Sequence, residues 1–189
     1  MEQSSQLVNS LIPLRNRGQF DIFTRGFLYK DDITNSSDRK CIVGKSKFLE
    51  GQLGLIAFRD IEIGELITIY PPHWFLEQKD GKTKVLVYQS ISPEISGKYN
   101  VLDYAKTYSI AIDSIHLIVG CPEIINNHNL LAHMCNDYRG LSKNYNALFF
   151  RNDPYQLDDN NPDFIALKAT RKIKRGEEIL TCYGEEFIF

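Results

Sequence analysis

Apolar and polar residues alternate in short runs along this chain, and few runs keep helical spacing. Period-two alternation bounded by Gly, Asp, Asn and Pro predicts strands at Leu53–Phe58, Leu66–Tyr70, Lys84–Tyr88, Tyr108–Ile112, Ala147–Phe150, Phe164–Ala169 and Glu178–Cys182. The best helix candidate is Pro122–Met134, where Pro suits a first turn, although Asn126, Asn127 and Asn129 weaken it. Leu7, Leu11 and Leu14 have partial helical spacing that Pro13 interrupts. Asp31–Lys40, Gln78–Thr83 and Arg151–Pro162 are polar, turn-rich and read as loops. The expected class is mostly β with short helices.

One pattern occurs twice, A-x-R-x-I-x-x-G-E-x-I. Ala57, Arg59, Ile61, Gly64, Glu65 and Ile67 lead to Tyr70; Ala169, Arg171, Ile173, Gly176, Glu177 and Ile179 lead to Tyr183. An apolar run precedes each copy, at Leu53–Ala57 and Phe164–Leu167. Each copy reads as two strands joined by a tight turn, and shared turn chemistry by itself makes two hairpins look alike. The alternative is that the copies bring their terminal tyrosines into one site. Tyr70 lies six residues past Gly64, whereas Tyr183 lies seven past Gly176. In a period-two strand this points the tyrosines to opposite faces unless a bulge or turn intervenes.

Composition narrows the class. At 189 residues the chain suits one domain with an appended segment and a core that needs no staples. A net charge of −2 supplies no positive field for nucleic acid or anionic membrane. The basic cluster Arg171, Lys172, Lys174 and Arg175 runs straight into Glu177 and Glu178, as a solvated turn would. Cys41, Cys121, Cys135 and Cys182 are scattered without metal-site spacing and suit a reducing compartment; no metal is expected. Residues 1–15 lack the apolar core of a signal peptide, and no apolar stretch reaches membrane-spanning length. The expected location is intracellular, in cytoplasm or nucleus, with no membrane or direct nucleic-acid partner.

Three separated motifs carry a family resemblance. Gln52-Leu53-Gly54-Leu55-Ile56-Ala57 with Asp60-Ile61 and Gly64-Glu65 resembles G-x-G-[LV]-[FY]-A…D-I…G-E. Ala132-His133-Met134-Cys135-Asn136-Asp137 with Asn146-Ala147 resembles N-H-S-C-x-P…N-[AC]. Gly176-Glu177-Glu178-Ile179-Leu180-Thr181-Cys182-Tyr183-Gly184 resembles G-E-E-L-x-x-D-Y-G. In this order the motifs resemble the SET-domain family of S-adenosylmethionine-dependent protein lysine methyltransferases.

The resemblance implies a β-fold of several small sheets with a C-terminal pseudoknot. It divides the chain into an N-terminal segment, 1–50, and a SET domain, 51–189, with a variable insert at about 71–120 and no cysteine-rich post-SET tail. It implies methyl transfer to a lysine amine of a protein or peptide substrate, histones included, with S-adenosyl-L-methionine as cofactor. Tyr183 and Tyr70 match the catalytic tyrosines, and with Phe149 they would line the substrate channel, although core packing is the better account of Phe149. Gln52, Leu53, Gly54, Asn129, Ala132, His133, Tyr183 and Tyr108 are the implied cofactor neighbours, and Phe187 and Phe189 could cover the adenine. Gln52 stands at the first Gly of G-x-G, Ala132 at the Asn of N-H, Pro72 at the Gly of Y-x-G and Cys182 at the Asp of D-Y. A sub-group with G-H-x-x-N-D resembles the second motif closely. Gln52 and Ala132 motivate an alternative, a SET-like protein-binding module without catalysis. Cys135 with His133 and Asp137 is a poor nucleophilic triad, because triads draw their members from distant segments.

Overall fold

The computed structural model describes residues 37–71, 73–79, 81–87, 100–111, 116–151 and 165–184. In chain order the strands are β1 (Cys41–Lys45), β2 (Leu53–Ala57), β3 (Leu66–Ile69), β4 (Trp74–Lys79), β5 (Lys82–Val87), β6 (Ser109–Ala111), β7 (His116–Val119), β8 (Asn136–Asp137), β9 (Ala147–Arg151), β10 (Ile165–Ala169) and β11 (Glu178–Thr181). Helix α1 (Val101–Ala105) precedes β6, and a 3-10 turn, η1 (Ala132–Met134), precedes β8. The described residues fall into two compact units, 71–121 and 37–70 with 122–184.

The larger unit holds two sheets, ordered β1-β2-β11-β8 and β3-β10-β9. Strands of the two repeat copies exchange partners between them. β2 of the first copy pairs with β11 of the second, and β3 of the first pairs with β10, which leads into the second. The expected hairpins are therefore not hairpins: neither copy pairs with itself. The backbone bonds between copies are reciprocal. Ala57 N–H donates to Glu177 O at 2.8 Å and Ala169 N–H to Glu65 O at 3.0 Å. Gly176 N–H donates to Ala57 O and Gly64 N–H to Ala169 O, both at 2.8 Å. Ile61 and Ile173 exchange two bonds of 2.9 Å, and both side chains are fully buried. The repeated Ile is thus the centre of a local two-fold arrangement. Burying both apolar runs against each other favours this pairing over two separate, half-exposed hairpins.

Each turn is built alike. Gly64 and Gly176 take φ of +80° and +82°, a left-handed conformation that favours glycine. Glu65 Oε2 accepts the Glu62 amide at 3.0 Å, and Glu177 Oε2 accepts the Lys174 amide at 2.6 Å. Each repeated Arg bonds the carboxylate of its own copy, Arg59 to Glu65 and Arg171 to Glu177. The spacing of Arg, Gly and Glu therefore specifies one capped turn, used twice.

The smaller unit is a sheet ordered β5-β4-β7-β6 around buried Trp74, Phe75, Leu76, Ile118 and Val119. Tyr104 stacks on Trp74 with ring centres 6.1 Å apart. His73 Nδ1 accepts the Cys121 amide at 2.7 Å, which ties the start of this unit to its end. Burial pushes the His73 imidazole down to about 4.

Two local expectations fail. Pro122–Met134 forms no α-helix and only η1 is helical, because Asn127 Oδ1 takes the Asn129 amide at 2.9 Å and competes with helical bonding. Gln78–Thr83 is the tip of a β4–β5 hairpin turning at Gly81, not a free loop. Of Asp31–Lys40, the described residues 37–40 are irregular. Leu7–Leu14, residues 31–36, Pro72, Tyr88, Ile112, residues 152–162, Phe164, Phe187 and Phe189 lie outside the described residues.

Candidate active site

Two hydrogen bonds pin the segment before η1 onto β3. Ile69 N–H donates to Asn129 O at 2.8 Å, and Leu131 N–H donates to the buried Thr68 Oγ1 at 2.9 Å. This fastening carries Ala132 and His133 to the end of β3, where Tyr70 follows. Tyr70 is 3% exposed, and its ring lies edge-on to His133 at 6.3 Å and to Phe149 at 6.0 Å. Tyr70 N–H donates to Ile165 O at 2.7 Å, fixing its backbone against β10.

The pairing of β3 with β10 contains a bulge. Leu66 faces Lys168 while Thr68 faces Leu167, so Ile67 is the extra residue. That insertion makes the exit from the Gly64 turn odd in register, as the exit from the Gly176 turn already is. The parity mismatch between the tyrosines is thereby removed.

Tyr183 arrives from β11, the inner strand between β2 and β8. Its hydroxyl donates to the Cys135 carbonyl at 2.5 Å, two residues from His133. Its amide donates to Asp137 Oδ2 at 2.7 Å. Tyr70 and Tyr183 thus meet the same short segment, one at His133 and one at Cys135. Asn129, Ala132, His133, Phe149, Tyr70 and Tyr183 are drawn together around it.

The first motif joins through Asn136. Its Nδ2 donates to Leu53 O at 3.1 Å and to Glu178 Oε1 at 3.0 Å. Glu178 is a buried carboxylate that also accepts Ser46 Oγ at 2.9 Å and the Lys47 amide at 2.7 Å. A Cβ on Gly54 would lie 2.5 Å from Glu178 Oε1 and 2.7 Å from Asn136 Nδ2. The close approach that Gly54 permits is therefore to this network. Gln52 and Leu53 lie on the exposed rim, with the Gln52 carbonyl taken by Ser46 N–H at 2.9 Å. Tyr108 belongs to the smaller unit, where its ring meets Tyr104 edge-on at 6.2 Å.

Burial raises the Asp137 carboxyl, but hydrogen bonds from Arg139 and the Tyr183 amide outweigh it and hold the group below its ordinary value. Burial pushes the Cys135 thiol well above its ordinary value, and Sγ donates to Ile179 O at 3.2 Å. A buried, protonated thiol is no nucleophile, which removes the Cys135 triad. Asn136, Arg139 and Glu178 carry no site expectation from sequence, and Asp137 enters there only as a member of the rejected triad. Asn136, Asp137 and Glu178 lie inside the quoted motifs; Arg139 carries no sequence signal. Among the described residues no group of three His, Cys, Asp or Glu side chains could hold a metal ion.

The family profile of the SET domain matches residues 52–184, more than half of the chain. The chain belongs to the SET-domain family. SET domains generally methylate lysine and typically use S-adenosylmethionine, and the small sheets described above are their β-fold. A solved structure of a candidate histone methyltransferase from Plasmodium falciparum is similar at 17% identity, covering 79% of this chain and 97% of that one with a TM-score of 0.45. No curated protein matches the sequence. No helix among the described residues of this SET domain is long and apolar enough to cross a membrane.

Proposed function

We propose that this SET domain transfers a methyl group from S-adenosylmethionine to the side-chain amine of a lysine in a protein substrate. The orientation of the Tyr183 hydroxyl carries this reading. A phenol has one O–H to donate and two lone pairs that accept. With its proton donated to Cys135 O at 2.5 Å, the hydroxyl can meet a substrate only as an acceptor, the role that an amine N–H or a polarised methyl C–H requires.

The residues present fit the cofactor. Neutral phenol and carbonyl oxygens at Tyr183 and Cys135 suit a sulfonium methyl, and Leu53, 46% exposed and tied through its carbonyl to Asn136, offers apolar cover. The cofactor, when bound, supplies an electrophilic methyl group. Tyr183 would align amine and methyl, which is where positioned reactants gain most of their rate. Tyr70 and Phe149, edge-on at 6.0 Å, would flank the lysine stem and favour its cationic head on entry. The lysine ammonium would lose a proton to solvent before its neutral amine took the methyl, with the neutral thioether as leaving group.

Ala132 favours a second reading, a binding module without catalysis, because its buried methyl side chain offers no amide to a cofactor. Isothermal titration of S-adenosylmethionine with radiolabelled methyl transfer to core histones and whole-cell lysate separates the two. Binding with label on lysine is expected; absence of binding leaves the module.

A further inference from the structure

Tyr183 is held through its amide by a carboxylate of the second motif, Asp137. The family pattern has Asp immediately before this tyrosine and Pro at the end of N-H-S-C-x-P; here Cys182 and Asp137 stand at those places. Position 182, just past β11, carries no carboxylate; Asp137 on β8 does, and it accepts the Tyr183 amide. We propose that Asp137 and Arg139 are positioning residues that set the Tyr183 ring for methyl transfer, an inference that rests on the methyltransferase reading.

The geometry is that of a clamp. One stretch, 135–139, holds both ends of Tyr183, its hydroxyl at Cys135 O (2.5 Å) and its amide at Asp137 Oδ2 (2.7 Å). The Asp137 side chain is 1% exposed, and a buried carboxylate is tolerated only when its oxygens are bonded. Arg139 supplies those bonds: its amide at 2.8 Å and Nε at 2.9 Å to Oδ1, and Nη2 at 3.2 Å to Oδ2. The stretch is locked to β11 by parallel pairing of Asn136 with Leu180 and Asp137 with Thr181, and by Tyr138 N–H to Thr181 O at 2.9 Å. Such a clamp fixes the tyrosine main chain, so the ring need not be ordered by substrate.

The pair also has a pH signature. The titratable groups around it are Arg139 and Tyr138 on the same turn, Cys135 before it, and Cys182 on the adjoining chain. Burial favours the protonated acid, and Arg139 opposes it. Without the Arg139 side chain only the backbone amides of residues 139 and 183 oppose burial, so the carboxyl titrates at higher pH than in the wild type, and an acid limb in kcat moves up with it.

The test combines kinetics with NMR of Cζ-labelled tyrosine, the Tyr183 resonance being identified by Tyr183→Phe. Arg139→Ala and Asp137→Asn should move that resonance with the fold intact. Arg139→Ala should lower kcat by about ten- to a hundred-fold while cofactor KM stays within about two-fold. Its acid limb should shift upward, and Arg139→Lys should restore part of the rate. An unmoved Tyr183 resonance in both variants overturns the clamp whatever the activity. A kcat loss that tracks the unfolded fraction, with no pH shift, reduces the pair to a structural role and overturns positioning. A moved resonance in a protein whose wild type neither binds cofactor nor transfers methyl keeps the clamp and sinks the methyltransferase reading.

Discussion

The two repeat copies share a turn down to individual hydrogen bonds and part company on either side of it. In the first copy Arg59 serves two carboxylates, Glu65 and, at 2.6 Å, Asp38, and Lys40 approaches the same cluster. In the second copy Glu177 is the one carboxylate bonded to Arg171 among the described residues. The exits differ more. The first passes through the bulge at Ile67 and ends in a buried Tyr70 packed on His133 and Phe149. The second continues as the inner strand β11 and ends in a half-buried Tyr183 bonded at both its hydroxyl and its amide. Equal turns fix where the copies meet; unequal exits give one tyrosine a packing role and the other an oriented oxygen.

The largest effect expected from breaking this comparison is on turnover. Tyr183→Phe should cut kcat by ~10²- to 10³-fold with cofactor affinity retained. Tyr70→Phe should cost about ten-fold, since its ring packing survives. Single-turnover methyl transfer checks both, and equal losses would erase the difference between the exits. Ile61→Ala and Ile173→Ala come next, each costing about 2–5 kcal/mol in denaturant unfolding. Because these two residues face each other, the double variant should cost less than the sum.

Gly64→Ala and Gly176→Ala should each cost about 1–2 kcal/mol, because both φ values are left-handed. Clearly unequal values would show that the turns are not equivalent. The smallest effect concerns the rim charges. Exposed ion pairs contribute ~0–1 kcal/mol, with Arg59→Ala expected above Arg171→Ala. The bond from Arg59 holds the Glu65 carboxyl below its ordinary value. A depressed carboxyl binds fewer protons folded than unfolded, so its stabilisation is full above the ordinary carboxylate range and is lost as pH falls through the folded value. Acid melts of wild type and Arg59→Ala should therefore converge at low pH and separate near neutrality.

All seven strands expected from alternation are present, with ends displaced by one or two residues. Four more among the described residues lacked the signal: β1, CIVGK, and β4, WFLEQK, put their apolar residues in one continuous run without alternation. β7, HLIV, starts with His and is otherwise continuously apolar, and β8 is two residues long, recognisable only by its parallel partner. The helix expected at 122–134 failed because Asn side chains bond their own backbone there. Around the site, motif spacing marked Tyr70 and Tyr183, since each ends a repeated pattern. It could not mark Arg139, which looks like any turn arginine until Asp137 is seen buried against it.

By itself the sequence determined the turn. Arg, Gly and Glu at fixed spacing suffice, because a left-handed glycine and a carboxylate three residues past a free amide act over a few bonds. Only the tertiary structure decided which strands pair across those turns and which carboxylate receives the Tyr183 amide. Backbone donors and acceptors are the same at every residue, so the chain cannot label its own partners. Burial of Ile61 against Ile173, and of Asp137 against Arg139, selects them.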